Sequence, residues 1–305
     1  MQPQESSHGS PGRALRRLAV ACRRSLRGGV RRVFGTRYVR APTTLESLRR
    51  QFDCDGYVSG GPLVDPARLE ALRRECDRIF AERDRPEAGV DYRRVEEPGG
   101  REYYKIYDLR HLSQAFHDLV IDPKLSELAT AITGCSRLRV LLDQIQYKPA
   151  HTGGVNGWHR DMASFPFQRP YRALMAWIPL DDVTEDNGAL SMVPGSHTWG
   201  DASDIATNEW ALDLSRIWLR YQGHWVRSVS RPMRAGHVHF HDDKTWHCSP
   251  PNLTDAPRRA LAIHLFNADA RYREGGAISY PGLSEGDSMQ SIAPLVLPWS
   301  PDNTA

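Results

Sequence analysis

Two hydrophobic periods divide the chain. Between about residue 44 and residue 134 apolar positions recur three or four apart, and from residue 137 onward they alternate. In the first region Thr44 stands where a helix cap is needed, ahead of Leu45 and Leu48. "DGYV" then predicts a short strand and Gly60-Gly61-Pro62 a turn. Asp65, with Pro66 at the first helical position, predicts a second helix carrying Leu69, Leu72, Cys76, Ile79 and Phe80. A further helix is expected over 123–133, closed by Gly134 as its C-cap.

The second region reads differently. "RLRVLLDQIQYKP", "YRALMAWIPL", "GALSMVP", "HVHFH" and "RALAIHLF" are short runs of period two, parted by Gly, Pro, Asn and Asp. Helices first and many short strands later predict an antiparallel barrel or sandwich with helices packed outside. Residues 200–232, rich in Trp, Arg and Ser, read as an insertion between barrel strands, either a lid or plain elaboration. No internal repeat is evident.

Charge changes this picture only at the N-terminus. The formal net charge of the 305 residues is +3, too mild to imply a nucleic-acid partner. Residues 1–42 nevertheless form a basic segment, with Arg13, Arg16, Arg17, Arg23, Arg24, Arg31 and Arg32 set among Leu15, Leu18, Cys22, Leu26, Val30 and Val33. Such an amphipathic pattern over 13–40 suits an anionic membrane surface, and a poorly ordered extension is the plainer expectation. The remainder, 43–305, is expected to be one domain. The composition of the whole chain, 40% hydrophobic and 25% charged, is that of a soluble globular protein. Five scattered cysteines without a CxxC pair predict neither a disulfide framework nor structural zinc, and a cytoplasmic setting follows as the simplest expectation. No stretch approaches the ~20 apolar residues of a membrane-spanning helix.

The candidate chemistry lies in the histidines. On a strand, residues i and i+2 share a face, so His159 and Asp161 of "NGWHRDMASF" converge while Arg160 points away. One imidazole, one carboxylate and a histidine from a distant strand make the facial triad of non-haem Fe(II), which leaves positions open for a cosubstrate and O2. A rival copy, His241-Asp242-Asp243, has too little chain after it to return a third ligand, whereas the segment after His159 is long enough to bring back His247. His237, His239 and His241 share one face and form either a competing cluster or a polar barrel lining. Ser249 and Arg258 follow His247 closely. An arginine fork matches a dicarboxylate, and alternation puts Arg258 on the small-residue face with Ala260, Ala262 and His264, opposite Arg259, Leu261, Ile263 and Leu265.

With these pieces in order, "FDCDGYV", "KPAHTGGVNGWHRDMASFPF", "NGALSMVPGSH", "AGHVHF" and "HCSPPNLTDAPRRA", the chain resembles the phytanoyl-CoA dioxygenase (PhyH) family of Fe(II)- and 2-oxoglutarate-dependent oxygenases from about residue 48 to 267. The resemblance implies an α+β, mainly β fold: a double-stranded β-helix (jelly-roll, cupin-like) core over about 137–267 with flanking N-terminal helices. It implies His159, Asp161 and His247 as metal ligands and Arg258 and Ser249 as holders of the distal carboxylate of 2-oxoglutarate. Gln144, Trp177 and Lys105 match cosubstrate-contacting positions. Gly188 and Gly195 are expected in a strand and tight turn, and His197 is expected to be structural.

The implied activity is a dioxygenase that uses Fe(II), 2-oxoglutarate and O2 to hydroxylate, or otherwise oxidise, an unactivated C–H bond. Its partner is a small molecule, a natural-product intermediate or an acyl-CoA, and it acts as a monomer or homodimer. Related iron halogenases carry a small residue in place of the acid, so Asp161 argues against halogenation. Phe165, Phe167 and Trp158 are expected on the substrate side. Two other classes stay open: a cupin-like metalloenzyme without 2-oxoglutarate, against which Ser249 and Arg258 argue, and a non-catalytic barrel.

Overall fold

The first two helices read from the sequence begin on their expected caps. Helix α1 (Leu45–Asp55) starts on Thr44, whose hydroxyl accepts the Ser47 N–H in a capping box. Strand β1 (Tyr57–Pro62) follows at once. The turn expected at Gly60-Gly61-Pro62 is instead part of this strand: a bulge between Ser59 and Gly61, with Gly61 at φ +80, bends the pairing without ending it. Helix α2 (Pro66–Glu82) is capped by Asp65, whose carboxylate accepts the N–H groups of Ala67 and Arg68. A hairpin not read from the sequence comes next, β2 (Tyr92–Glu97) and β3 (Arg101–Tyr107). "YRRVEE" mixes charge onto both faces, so it carries no clean alternation.

Helices α3 (Leu109–Leu112), α4 (Gln114–Val120) and α5 (Pro123–Thr133) complete the first region. α5 is capped by Asp122 and closed by Gly134 in the left-handed region at φ +72. The second region supplies β4 (Leu138–Lys148), β5 (Asn156–His159), β6 (Ala173–Pro179), β7 (Leu190–Met192), β8 (Leu219–Tyr221), β9 (His224–Val226), β10 (Val229–Arg231), β11 (His237–Asp242), β12 (His247–Ser249), β13 (Arg258–Asn267) and β14 (Val296–Leu297). The structure, a computed structural model, describes residues 38–97, 100–161, 165–200, 219–221, 223–275 and 279–300, which belong to one compact unit. The basic segment expected over 1–42 lies almost wholly outside the described residues, as does much of the insertion expected at 200–232. Among the described residues no helix is long and apolar enough to cross a membrane.

Among the described residues, the named strands pair antiparallel. The main sheet runs β1-β11-β6-β13-β4-β3-β2 with β14 added on β4, the second runs β10-β7-β12-β5, and β8 pairs with β9. The main sheet thus recruits β1, β2, β3 and β14 from outside the 137–267 range. Its alternation sorts two cores. The outward face, with Ile145, Ala176, Ile178, Phe240, Leu261 and Ile263, packs under the helices against Leu72, Ile79, Phe116 and Leu128. The inward face, with Met175, Trp177, Ala260 and Ala262, meets Leu190 and Met192 of the second sheet. Two sheets closed on an interior in this way are the jelly-roll that the strand pattern implied.

Candidate active site

β5 and β12 are edge neighbours in the second sheet, and their register puts His159 directly across from His247. Asp161 stands just past the end of β5. One ligand atom from each of His159, Asp161 and His247 lies within 4.8 Å of the others. The Asp161 Oδ1 is 3.6 Å from the His159 Nε2 and 3.9 Å from the His247 Nε2. Both imidazoles are fixed from behind: His159 Nδ1 stands 2.7 Å from the Gly157 carbonyl and His247 Nδ1 2.9 Å from that of Thr245. A carbonyl only accepts, so each Nδ1 carries the proton and each Nε2 presents a bare lone pair to the centre.

Electrostatics favour the same protonation states. Burial lowers the pKa of both histidines, His247 the more strongly, which keeps them neutral. Burial alone would raise Asp161, but the imidazoles of His247, His241 and His264 around it hold its carboxyl well below the usual range. Neutral imidazole and ionised carboxylate are the forms that ligate a metal. The Asp161 Oδ2 is buried with no hydrogen-bond partner. A two-nitrogen, one-carboxylate donor set of this kind fits Fe(II) and leaves room for further ligands.

A second feature sits in the same interior. Arg258 opens β13 and is fully buried, and its Nη2 donates to the Ser249 Oγ at 3.0 Å and its Nη1 to the Gln146 carbonyl at 3.3 Å. Ser249 in turn donates to the Gly188 carbonyl. Gly188, at φ +94, has no room for a side chain, because a Cβ there would stand 2.6 Å from the Pro250 carbonyl. Lys148, across the ladder from Arg258, is also buried and donates to the carbonyls of Ser249 (2.8 Å) and Pro250 (2.5 Å). Among the described residues, neither cation has a carboxylate within ion-pair distance. Burial pushes Arg258 down to about 10, and it pushes Lys148, with Arg258 beside it, well below the ordinary lysine value. Two buried positive charges facing neutral groups make a seat for an anion, and the arginine fork suits a carboxylate.

The remaining expected residues fall around these two features. Trp177 is fully buried; its Nε1 donates to the Gln146 Oε1 at 3.3 Å, and the Arg258 guanidinium stands 5.7 Å from its ring. Lys105 is half-buried on β3, opposite Gln146, and its pKa is lowered by burial against the pull of Asp161. Gln144 lies one row deeper, with its Nε2 3.3 Å from the His264 Nε2. It is Gln146 that bridges Trp177 and Arg258. The same alternation that puts Gln144 inside also puts Gln146 and Lys148 there, and this was the signal for both.

One expectation is corrected, and one alternative left open is decided. Trp158 does not line the interior: it packs with Val193, Val226, Trp246 and Cys248 behind β5, because alternation turns it away from His159. Nor do His237, His239 and His241 gather as a metal group among the described residues. His239 and His241 line the interior, and the latter brings its Nε2 to 3.4 Å from the Asp161 Oδ2. Asp242 and Asp243 of the rival HxD are spent locally, on the Lys244 N–H and the Tyr171 hydroxyl. Phe165 packs edge-on to His264 and so stays beside the interior, while Phe167 stacks on Phe266. His197 stands 3.2 Å from the Asp53 carbonyl, in a structural position.

This architecture has relatives. The phytanoyl-CoA dioxygenase (PhyH) family profile matches residues 52–260. An ectoine dioxygenase of Halomonas elongata is 32% identical over 232 residues, covering 71% of this chain and 68% of the relative. Among solved structures, the epimerase SnoN from nogalamycin biosynthesis, in complex with Fe3+, alpha ketoglutarate and nogalamycin RO, superposes with a TM-score of 0.66. Its identity is 28%, covering 80% of this chain and 94% of that one. The alpha ketoglutarate dependent carbocyclase SnoK from the same biosynthesis gives 0.62 at 25% identity, covering 82% and 96%. The chain belongs to the phytanoyl-CoA dioxygenase (PhyH) family and is an Fe(II)- and 2-oxoglutarate-dependent oxygenase.

Proposed function

We propose that the chain oxidises a C–H bond of a natural-product intermediate, with His159, Asp161 and His247 holding Fe(II) and Arg258 and Ser249 holding the distal carboxylate of 2-oxoglutarate. The observation that carries this reading is one interior with two halves: three ligand atoms within 4.8 Å of one another, and a fully buried arginine without a carboxylate partner among the described residues. A cupin-like metalloenzyme without 2-oxoglutarate has no use for that arginine, and a binding barrel has no use for the convergent ligands.

When bound, Fe(II) with 2-oxoglutarate and O2 supplies the oxidising equivalents for C–H cleavage. The protein's residues do the rest by placement. Arg258 would hold one carboxylate of the dicarboxylate, with Ser249 held for it by Gly188 and Lys148. Trp177, Ala260 and Ala262 form part of the inward face of the main sheet, where Trp177 is anchored by Gln146. Lys105, and Gln144 through His264, complete the wall nearest Asp161. Burial of Arg258, Lys148 and Trp177 keeps water from the cosubstrate end of the interior.

A natural-product substrate is supported by the similarity to SnoN and SnoK, both enzymes of nogalamycin biosynthesis. A reducing compartment such as the cytoplasm suits Cys54, Cys76 and Cys135, which form no disulfide among the described residues. The test is anaerobic titration with Fe(II) and then 2-oxoglutarate, followed by succinate assay in air. A weak visible charge-transfer band that needs the cosubstrate is expected. No band, together with no succinate, overturns the reading. Stimulation of succinate formation by acyl-CoA thioesters and not by polycyclic or glycosylated natural products would move the substrate class.

A further inference from the structure

We propose that His241 is a positioning residue for Asp161: its Nε2–H meets the Oδ2 of the carboxylate, so that Oδ1 alone is left to ligate the metal. This rests on the reading of His159, Asp161 and His247 as the ligand set. The two carboxylate oxygens are not equivalent in the structure. Oδ1 looks into the triad, toward both ligand nitrogens, while Oδ2 looks at the His241 Nε2 from 3.4 Å. Both Oδ2 and that nitrogen are buried, and neither has a hydrogen-bond partner. A buried acceptor and a buried ring nitrogen left facing each other represent an unmet hydrogen bond that a small closure completes.

The fold singles out this imidazole. His241 is fully buried on β11, between Tyr57 on β1 and Met175 on β6, with its ring 4.3 Å from that of His247. It cannot turn to solvent. His239 shares its face but lies farther along the strand, where it stacks with Tyr57. His264 faces Gln144. Among the described residues, these two stand beyond 4 Å from the Asp161 carboxylate. His241 therefore has a place that neither can fill.

The consequence concerns coordination. A carboxylate whose second oxygen is unheld can swing to chelate a metal through both atoms, and this would take a position that a two-atom cosubstrate or O2 requires. Holding Oδ2 from behind keeps Asp161 monodentate and fixes its orientation, as outer-shell partners of metal ligands do.

The experiment compares His241→Gln, whose amide reaches the place of Nε2, with His241→Asn, whose amide stops short, and with His241→Phe. Fe(II) affinity is measured anaerobically by competition with a chromophoric chelator, and the 2-oxoglutarate-dependent charge-transfer band is recorded on the same samples. Wild type and the Gln variant are expected to bind alike with the same band. The Asn and Phe variants are expected to lose about 10–100-fold in Fe(II) affinity, with a displaced or weakened band. Melting of the metal-free proteins identifies a variant that fails to fold, and the Gln/Asn pair then decides. Equal behaviour of Gln and Asn, or wild-type behaviour of Phe, overturns the role of His241 alone. Absence of Fe(II) binding in the wild type overturns the ligand set itself.

Discussion

Arg258 and Arg259 are neighbours on β13 and face opposite sides of one sheet. Arg258 turns inward to Ser249 and Gln146, with no carboxylate partner among the described residues. Arg259 turns outward and is neutralised twice, by a two-pronged contact with Asp181 (2.7 and 3.0 Å) and by Asp77 of α2 at 2.8 Å. One is left wanting an anion; the other staples a helix to the sheet. Their substitutions are therefore expected to separate cosubstrate affinity from stability.

For Arg258→Gln, loss of a charge-assisted contact worth about 1.5–3 kcal/mol is expected to raise the KM for 2-oxoglutarate roughly ten- to hundredfold. Fe(II) binding is expected to persist. Arg259→Gln is expected to lower stability by about 1–3 kcal/mol, mostly through Asp181, because Asp77 is largely exposed. Steady-state kinetics and urea unfolding of the two variants check this. An unchanged KM in the first with a raised KM in the second would exchange their roles.

His159→Ala and Asp161→Ala are expected to reduce iron content and 2-oxoglutarate-dependent succinate formation to background. Iron analysis and a coupled succinate assay measure both. Undiminished turnover in the pair would remove the proposed ligand set.

Lys148→Met replaces a buried ammonium by an apolar side chain of similar length and leaves the carbonyls of Ser249 and Pro250 unpaired. The expected cost is about 1–3 kcal/mol of stability for such unsatisfied groups. A rise in the KM for 2-oxoglutarate is expected alongside it, because Ser249 also contacts Arg258. Wild-type stability with wild-type KM would show that the strap carries no weight.

Stability of the metal-free protein is expected to fall on acidification. Burial pushes His264 from its ordinary value near 6.5 down to about 4, so the unfolded chain takes up a proton first. The contribution is present above pH 6.5 and is lost as the pH falls through about 4. At roughly 1.4 kcal/mol per pH unit it amounts to a few kcal/mol. Urea midpoints measured from pH 7.5 to 4 should show this decline, shallower in His264→Gln. An equal slope in that variant would assign the decline to other groups.

The site was legible in proportion to how locally each residue is placed. Period two put His159 with Asp161, set Arg258 apart from Arg259, and put the "HVHFH" histidines on one face, because a strand leaves its side chains only two directions. The same rule turned Trp158 away from the interior, against the expectation placed on it. The hairpin of β2 and β3 was not legible: "YRRVEE" is mostly exposed, so no hydrophobic face marks it, and with it went the position of Lys105 relative to Gln146.

By itself the sequence determined the helix caps at Thr44, Asp65 and Gly134, the change from helical to strand period near residue 137, and the residue types needed for an Fe(II) and 2-oxoglutarate site. These depend on chemistry within a few residues, which composition and spacing record. Only the tertiary structure decided that Gln146 rather than Gln144 stands between Trp177 and Arg258, that Lys148 holds Ser249, and that His241 faces the free oxygen of Asp161. Each of those relations joins strands far apart in the chain, and their register is set by how two sheets close on one interior.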